Sequence, residues 1–153
     1  MAALATHSFA ALALAASGQP AWAALGGGLE NLAADRVPMK AQQQARDSAF
    51  PLFTIHEDTL PGGTRVRQYL SGNGVVFAVA WSGPFKPDLR QLLGTYFDVM
   101  LAQQKNNIHA GQPRTQVREK DLVIESGGRM RNFFGRAYLP SQIPAGLNPD
   151  DIR

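Results

Sequence analysis

The sequence predicts an α+β domain in which a small antiparallel sheet, a three-stranded meander plus a C-terminal hairpin, packs against one amphipathic helix. Two observations lead to this class. Short runs of β-forming residues are divided by turns rich in Gly, Pro and Asn, and one stretch beginning at Pro87 repeats its apolar residues with the helical period. Because strands occur in blocks before and after a single helix, the pattern is typical of a segregated α+β fold.

The meander occupies the middle of the chain. Its three predicted strands are residues 52–57, 64–70 and 75–81. In the third strand, one face would carry Val75, Phe77, Val79 and Trp81, and the other Val76, Ala78 and Ala80. Both faces are therefore apolar, and we expect both to be covered. In the second strand Arg65, Arg67 and Tyr69 share one face, which predicts a half-exposed strand.

The helix begins after the meander. Pro87 and Asp88 favour a helix start, because proline fits the first turn and an acid stabilises the positive end of the helix dipole. Apolar residues then recur on one stripe at Leu89, Leu92, Leu93, Tyr96, Phe97, Met100 and Leu101. Such a stripe predicts one continuous helix packed on the sheet.

The C-terminal hairpin follows a polar loop that extends to Lys120. Residues 122–126 and 129–138 flank Gly127-Gly128, which predicts a two-residue turn at the glycines. That turn would place Ser126 opposite Arg129, and Ile124 opposite Arg131. The remaining residues, 139–153, contain three prolines and little periodicity, so we expect them to lie irregularly over the domain surface.

The start of the chain predicts export. No charged residue occurs from Ala2 to Ala24, and the apolar run at 9–16 is too short to span a membrane. Ala21 and Ala23 are the small residues that a signal peptidase accepts, so residues 1–23 are interpreted as a signal peptide cleaved after Ala23. The usual basic residue before the apolar run is missing, and a buried Ala-rich helix is the alternative. Export to the periplasm or the extracellular space is the expected localisation.

Domain organisation follows from this interpretation. Residues 24–49 contain three consecutive Gly and three consecutive Gln, with few large apolar residues, and are expected to form a flexible lead-in. Residues 50–153 are expected to form the single α+β domain. No later segment is long and apolar enough to span a bilayer, so no membrane anchor is expected after cleavage.

Composition excludes several chemistries. The chain has no Cys, which excludes disulfides, thiolate metal sites, cysteine nucleophiles and a lipid-modified N-terminus. The formal net charge of +3 is spread without a basic run, so no nucleic-acid partner is expected. His56 and His109 are the histidines after residue 23, and neither has metal-ligand spacing. We therefore expect no metal, no cofactor and no catalytic residue, and consider an enzyme the less favoured interpretation.

Several motifs resemble a known family, the bacterial domain of unknown function 2844. They are Ala24-Leu-Gly, Gly63-Thr-x-Val-Arg-x-Tyr69, Val76-Phe-Ala-Val-Ala-Trp-x-Gly-Pro84, Pro87-Asp-Leu-x-x-Leu-Leu-Gly-x-Tyr-Phe97, Asp121-Leu-Val, Met130-Arg-x-Phe and Gly135-Arg-Ala-Tyr-Leu-Pro140. The resemblance extends from about Phe50 to the end of the sequence. Since the family occurs mostly in exported proteins of Burkholderia-like bacteria, the resemblance implies export and a single domain. It implies no particular activity.

Arginines beside aromatic residues are the candidate binding residues. The candidates are Arg65, Arg67, Trp81, Arg129, Arg131 and Arg136. If their strands lie in one sheet, they would form a surface suited to carboxylates, phosphates or aromatic faces. The alternative is that these arginines merely solvate an exposed sheet face.

Two functions follow. The favoured one is a non-catalytic periplasmic or secreted module that uses this face to bind an envelope protein or an anionic envelope ligand. The alternative is a small cell-envelope hydrolase or lyase that uses a carboxylate such as Asp121 or Glu125, which would require a pocket where acids converge.

Overall fold

The computed structural model describes residues 25–28, 42–46, 52–106 and 114–153, with the backbone alone at 42–46, 105 and 106. The strands are β1 (Gln42–Arg46), β2 (Phe53–Thr59), β3 (Arg65–Ser71), β4 (Val76–Gly83), β5 (Thr115–Glu119), β6 (Leu122–Arg129) and β7 (Asn132–Tyr138). Between β4 and β5 lie α1 (Leu89–Leu93) and α2 (Tyr96–Asn106), and two 3-10 turns, Pro140–Gln142 and Pro149–Asp151, follow β7.

All seven strands form one antiparallel sheet in the order β1-β2-β3-β4-β7-β6-β5. Across the described residues the fold is therefore mainly β, with two short helices. The α+β prediction is right in its antiparallel sheet with helical cover, but it gives too few strands and one continuous helix instead of two. β5 lies in the stretch predicted as a polar loop.

The sheet has two covered faces. On the helix face, α1 and α2 pack Leu92, Leu93 and Met100 into one cluster with Val79 and Ile124. The segment 139–153, called the tail here, begins at Leu139 in the helix-face cluster and then lies over the opposite face, and this tail face holds a second cluster. Every residue from 76 to 81 of the central β4 is 3% exposed or less, which confirms the prediction that both its faces are covered.

A β-bulge shifts the register between β3 and β4. Leu70 pairs with Val76 while Tyr69 pairs with Ala78, so Phe77 is the extra residue. Phe77 then packs on the tail face with Phe53 and Tyr69. The prediction that Phe77 shares a face with Val79 and Trp81 is therefore wrong, because strict alternation stops at the bulge.

The predicted helix is interrupted. Asp88 caps α1, its Oδ1 accepting hydrogen bonds from the amides of Arg90 at 2.9 Å and Gln91 at 3.2 Å, which confirms it as the helix start. Gly94 then takes a φ of +53°, a left-handed conformation that ends α1. The apolar stripe nevertheless continues into α2, as shown by Met100, which packs in the same cluster as Leu92 and Leu93.

The hairpin turn lies three residues later than predicted. Arg129 pairs with Asn132, so Met130-Arg131 is the turn, and Ser126 lies opposite Gly135. Gly128 is inside β6 with a φ of +145°, and a Cβ there would lie 2.5 Å from the carbonyl oxygen of Asn132. The glycine therefore permits close strand approach, whereas Arg131 itself takes the left-handed turn position with a φ of +64°.

Part of the predicted lead-in belongs to the sheet structure. The amide of Leu25 donates to the carbonyl of Leu92 at 3.1 Å, and Gly26 and Gly27 exchange hydrogen bonds with Val76 at 2.7 and 2.9 Å. Leu25 is 3% exposed, and β1 lies at the sheet edge. Residues 1–24, including Ala21 and Ala23, lie outside the described residues, so the signal peptide stays a prediction. None of the described helices has both the length and the apolarity that crossing a membrane requires.

The tail packs in a defined way over the sheet. It leaves β7 at Leu139, whose amide donates to the carbonyl of Phe77 at 2.9 Å. Near its other end Ile152 is fully buried among Phe53, Tyr69 and Phe77. Burial of such a side chain contributes about 2 kcal/mol. The tail therefore covers one face of β4, and the two helices cover the other.

Candidate functional site

The six predicted binding residues lie in three places. Arg67 and Arg136 lie under the tail, Trp81 points to the helix face, and the other three lie at one end of the sheet. The single Arg and aromatic surface expected from the sequence is therefore not formed.

Arg67 joins a buried acid to the tail. Its Nε lies 2.6 Å from Oε2 of Glu57, a side chain that is 6% exposed. Its Nη1 donates to the main-chain oxygen of Arg153 at 2.5 Å. The hydroxyl of Tyr69, on the same face of β3, donates to that oxygen at 3.1 Å and accepts from the Arg153 amide at 3.2 Å. This arginine is an anchor for the tail.

Arg136 does the same on the other side of the central strand. Its Nε donates to Oε2 of Glu125 at 2.8 Å, and its Nη1 donates to the carbonyl of Pro149 at 2.7 Å. Its Nη2 reaches Oδ1 of Asp150 at 3.2 Å. Burial opposes the charged form, but hydrogen bonds to Glu125 and Asp150, together with the charge of Glu125, outweigh it and raise the pKa of Arg136.

The pairing register explains this symmetry. Ala80 of β4 pairs with Arg67 on one side and with Arg136 on the other. Glu57 pairs with Arg67, and Glu125 with Arg136, so the row alternates acid, base, alanine, base and acid. The small Ala80 side chain leaves room for the tail, which lies over the row and is held by both guanidinium groups.

Glu125 is held by several donors. Besides Arg136, it accepts from Nε2 of Gln116 at 3.2 Å and from Nη2 of Arg118 at 3.4 Å. Burial disfavours the carboxylate, but the hydrogen bond and charge of Arg136, with the bonds from Gln116 and Arg118, lower the pKa of Glu125 below its ordinary value. A carboxyl in this setting stays ionised and is a poor proton donor at neutral pH.

Trp81 lies on the opposite face from these arginines. It is 3% exposed within the helix-face core, and its ring covers the backbone of Gly135, its pairing partner on β7. A Cβ on Gly135 would lie 2.2 Å from Cζ2 of the indole. Its position on β4 directs Trp81 into the helix-face core, so it does not share a surface with Arg67 and Arg136, although it also contributes to the lining of the cleft described below.

Arg65, Arg129 and Arg131 are exposed at one end of the sheet. Arg129 is the last residue of β6 and Arg131 lies in the turn. The predicted strand 129–138 would have contained both arginines, but the turn lies between the end of β6 and the start of β7, so Arg129 and Arg131 do not share a strand.

An open cleft of about 590 Å³ lies beside the end of the tail. The residues that give it its chemistry are Arg114, Gln116, Glu125, Phe134, Arg136 and Arg153. Phe134 is 47% exposed, and the side chains of Arg114 and Arg153 add positive charge at the walls. The sequence prediction missed Arg114 and Gln116. Their i, i+2 spacing with Arg118 is a strand signal, but a weak one, because β5 buries a single apolar residue, Val117.

The two candidate acids do not converge. Asp121 lies in the β5–β6 turn, where it accepts hydrogen bonds from the amide of Ser141 at 2.7 Å and from the Ser141 hydroxyl. Glu125 lies four residues further along the chain, which in an extended strand is roughly 13 Å. Within the described ranges, no group of three or more His, Cys, Asp or Glu is placed to hold a metal ion. His109 lies outside these ranges.

Fold and site together define a small, mainly β domain whose sheet face is closed by its own C-terminal tail. The chain belongs to the family described as protein of unknown function (DUF2844), whose model matches residues 21–152. The predicted family is thus confirmed, and the match includes both the Leu25–Gly28 segment and almost all of the tail. No curated protein and no solved structure gave a significant match.

Proposed function

We propose that this protein is an exported, non-catalytic binding module that takes an anionic ligand of the cell envelope into the cleft beside the tail. The observation that carries the proposal is the wall composition of the cleft. Arg114 and Arg153 provide positive charge next to the exposed ring of Phe134. Guanidinium groups beside an aromatic face suit a carboxylate or phosphate attached to an apolar group.

The cleft replaces the open sheet face as the binding surface in this proposal. Arg67 and Arg136 already bind main-chain oxygens of the tail. A ligand on that face would have to displace the tail and Ile152, which is fully buried. The cleft requires no such displacement, because it is open at the side of the tail.

The geometry gives less support to a hydrolase or lyase. A general acid needs a raised pKa, and the pKa of Glu125 is lowered by its basic neighbours. Asp121 is hydrogen-bonded to Ser141 at the turn, away from Glu125. Paired carboxylates acting on one bond would need to face each other across it.

Export is supported by the sequence of residues 1–23 and by the start of the family match at residue 21, beside the predicted cleavage site. Expression in a Gram-negative host, followed by fractionation and N-terminal sequencing, tests it directly. We expect an envelope-fraction protein beginning at Ala24. Recovery from the cytosol with residues 1–23 intact would contradict export without bearing on the cleft.

Ligand binding is tested by NMR titration with phenyl phosphate, which combines an anion with an aromatic ring. We expect shifts at the amides around Phe134 and Gln116, and about fivefold weaker binding in Arg114→Gln. Arg90→Gln, which changes an exposed arginine on the helical side, is the matched control and should bind like wild type. Equal shifts with neutral phenol, or equal affinity of both variants, would refute an anion site in the cleft.

A further inference from the structure

The end of the sheet that carries three of the predicted arginines presents exposed basic and apolar side chains, and it is called the rim here. It consists of residues 59–65, 82–86 and 127–133. We propose that the rim docks the domain peripherally on an anionic lipid surface. This inference is independent of the ligand proposed for the cleft.

Strand pairing brings the three rim segments together. Arg65 at the start of β3 pairs with Ser82, and Gly83 at the end of β4 pairs with Phe133. Arg129 pairs with Asn132 to close the β6–β7 turn. The β2–β3 loop, the end of β4 and the β6–β7 turn therefore all lie at one end of the sheet.

Two apolar side chains on the rim face solvent. Met130, in the β6–β7 turn, is 91% exposed, and Phe85, just after β4, is 60% exposed. These are the two most exposed large hydrophobic side chains among the described residues. Because isolated exposed apolar residues are ordinary, their significance depends on what surrounds them.

The backbone holds Phe85 in this exposed position. Oγ1 of Thr64 donates to the carbonyl of Phe85 at 2.7 Å and accepts from its amide at 3.2 Å. The ring lies against Gly62, where a Cβ would be 2.7 Å from ring atom Cδ2. Because Gly62 has no Cβ, the ring of Phe85 can pack against the β2–β3 loop. The exposed position of Phe85 is therefore set by this contact and by the hydrogen bonds to Thr64.

The charge on the rim has one sign. Its four ionisable residues at neutral pH are Arg65, Lys86, Arg129 and Arg131, and the three rim segments contain no Asp or Glu. Elsewhere in the described structure, Arg67, Arg118 and Arg136 each have a carboxylate partner. Unneutralised cations around exposed apolar side chains are the combination that favours anionic lipid surfaces.

The shape of the rim favours lipid over a protein partner. Phe85 and Met130 stand on separate loops at the strand ends, and neither lines the cleft at Arg114 or the smaller pocket beside Gly94. A headgroup layer accepts separate apolar side chains and cations without matching their shape. A protein partner would instead require a complementary surface around both.

Vesicle co-sedimentation tests the proposal. Protein purified after expression with its own N-terminal segment is mixed with vesicles of phosphatidylcholine alone or of phosphatidylcholine with phosphatidylglycerol. We expect sedimentation with the anionic vesicles, lost at high salt. The double variant Met130→Ser/Arg131→Gln should bind about tenfold more weakly.

The chain offers a matched control at the opposite end of the sheet. Leu52→Ser/Lys120→Gln also removes one exposed apolar residue and one exposed cation, and it should bind like wild type. Equal loss in both double variants, or equal binding to the two vesicle types, would overturn the proposal. Absence of vesicle binding would also overturn the proposal. This includes the outcome in which the rim binds an envelope protein instead of lipid. Phenyl phosphate titration of the rim variant should be unchanged, which separates this test from that of the cleft.

Discussion

Arg67 donates a 2.5 Å hydrogen bond to the main-chain oxygen of Arg153, 86 residues further along the chain. The same guanidinium lies 2.6 Å from Glu57. One side chain therefore connects an acid of a neighbouring strand to the end of the tail, and Arg136 makes the equivalent connection through Glu125 and Pro149. The tail is held by charge-assisted hydrogen bonds to its backbone at two points.

Arg67→Ala should destabilise the domain by about 2 kcal/mol, because it removes both the ion pair to a buried carboxylate and a tail hydrogen bond. Urea denaturation gives the free energy of unfolding. Hydrogen exchange should also accelerate at Ile152, whose amide bonds Pro149 within the tail. Arg65→Ala, on the same face of β3 but exposed, is the control and should change stability by less than about 0.5 kcal/mol. Equal effects of the two changes would exclude the anchor role of Arg67.

Glu125 should make stability depend on acid pH. Since its folded-state pKa lies below the ordinary value of 4.5, the unfolded chain binds the proton more readily. Its contribution is therefore fully present above that value and is lost as pH falls through the folded-state pKa. Glu125→Gln should be less stable at neutral pH and should show a flatter stability profile below pH 4.5, measured by thermal unfolding.

Glu119→Gln supplies the comparison for this pH profile. Glu119 is an exposed acid on the edge strand β5, bonded to Gln103 at 3.4 Å. Its substitution should leave the wild-type profile in place. If Glu125→Gln retains the same acid-dependent loss as wild type, other carboxylates are responsible.

The sequence was sufficient to predict those strands and helices whose local residue pattern agrees with their tertiary environment. β4 is apolar on both faces and is buried on both, and Asp88 starts a helix where its residue type predicts one. β5 was missed because Arg114, Gln116 and Arg118 read as a polar loop. An edge strand with one buried residue, Val117, has too little apolar alternation to be recognised.

The errors at the hairpin and the binding surface have a common physical cause. Gly127-Gly128 fits a turn by backbone freedom, but the close approach of Asn132 and Phe133 to Gly128 is a tertiary requirement that local propensity does not contain. Likewise, the exposed arginine face could be inferred from alternation. The tail that covers it depends on contacts across 86 residues, as between Arg67 and Arg153.

Gly135→Ala should be severely destabilising, by about 2 kcal/mol or more, because overpacking forces the indole of Trp81 out of its position. The added Cβ would lie 2.2 Å from Cζ2 and 2.5 Å from Cε2 of that ring. Gly72→Ala is the matched change, since nothing lies within 4 Å of its Cβ position. Urea denaturation of both variants, with near-UV circular dichroism to monitor Trp81, distinguishes them. A Gly135→Ala protein as stable as Gly72→Ala would show that the Trp81 contact is dispensable.

Leu25 tests whether the segment after the predicted cleavage site is part of the folded domain. Leu25 is 3% exposed in the helix-face core, and its amide bonds the carbonyl of Leu92 at 3.1 Å. Leu25→Ala should therefore lower the free energy of unfolding by about 3 kcal/mol, as large-to-small core changes do. Leu52→Ala, at a leucine that is 52% exposed, should cost less than about 1 kcal/mol. Equal stability of the two variants would place Leu25 outside the cooperative unit. The expected difference in free energy of unfolding would show that Leu25, only two positions after Ala23, is part of the folded domain. In that case the fold begins almost at the predicted cleavage site, and a flexible lead-in can occupy only part of residues 24–49.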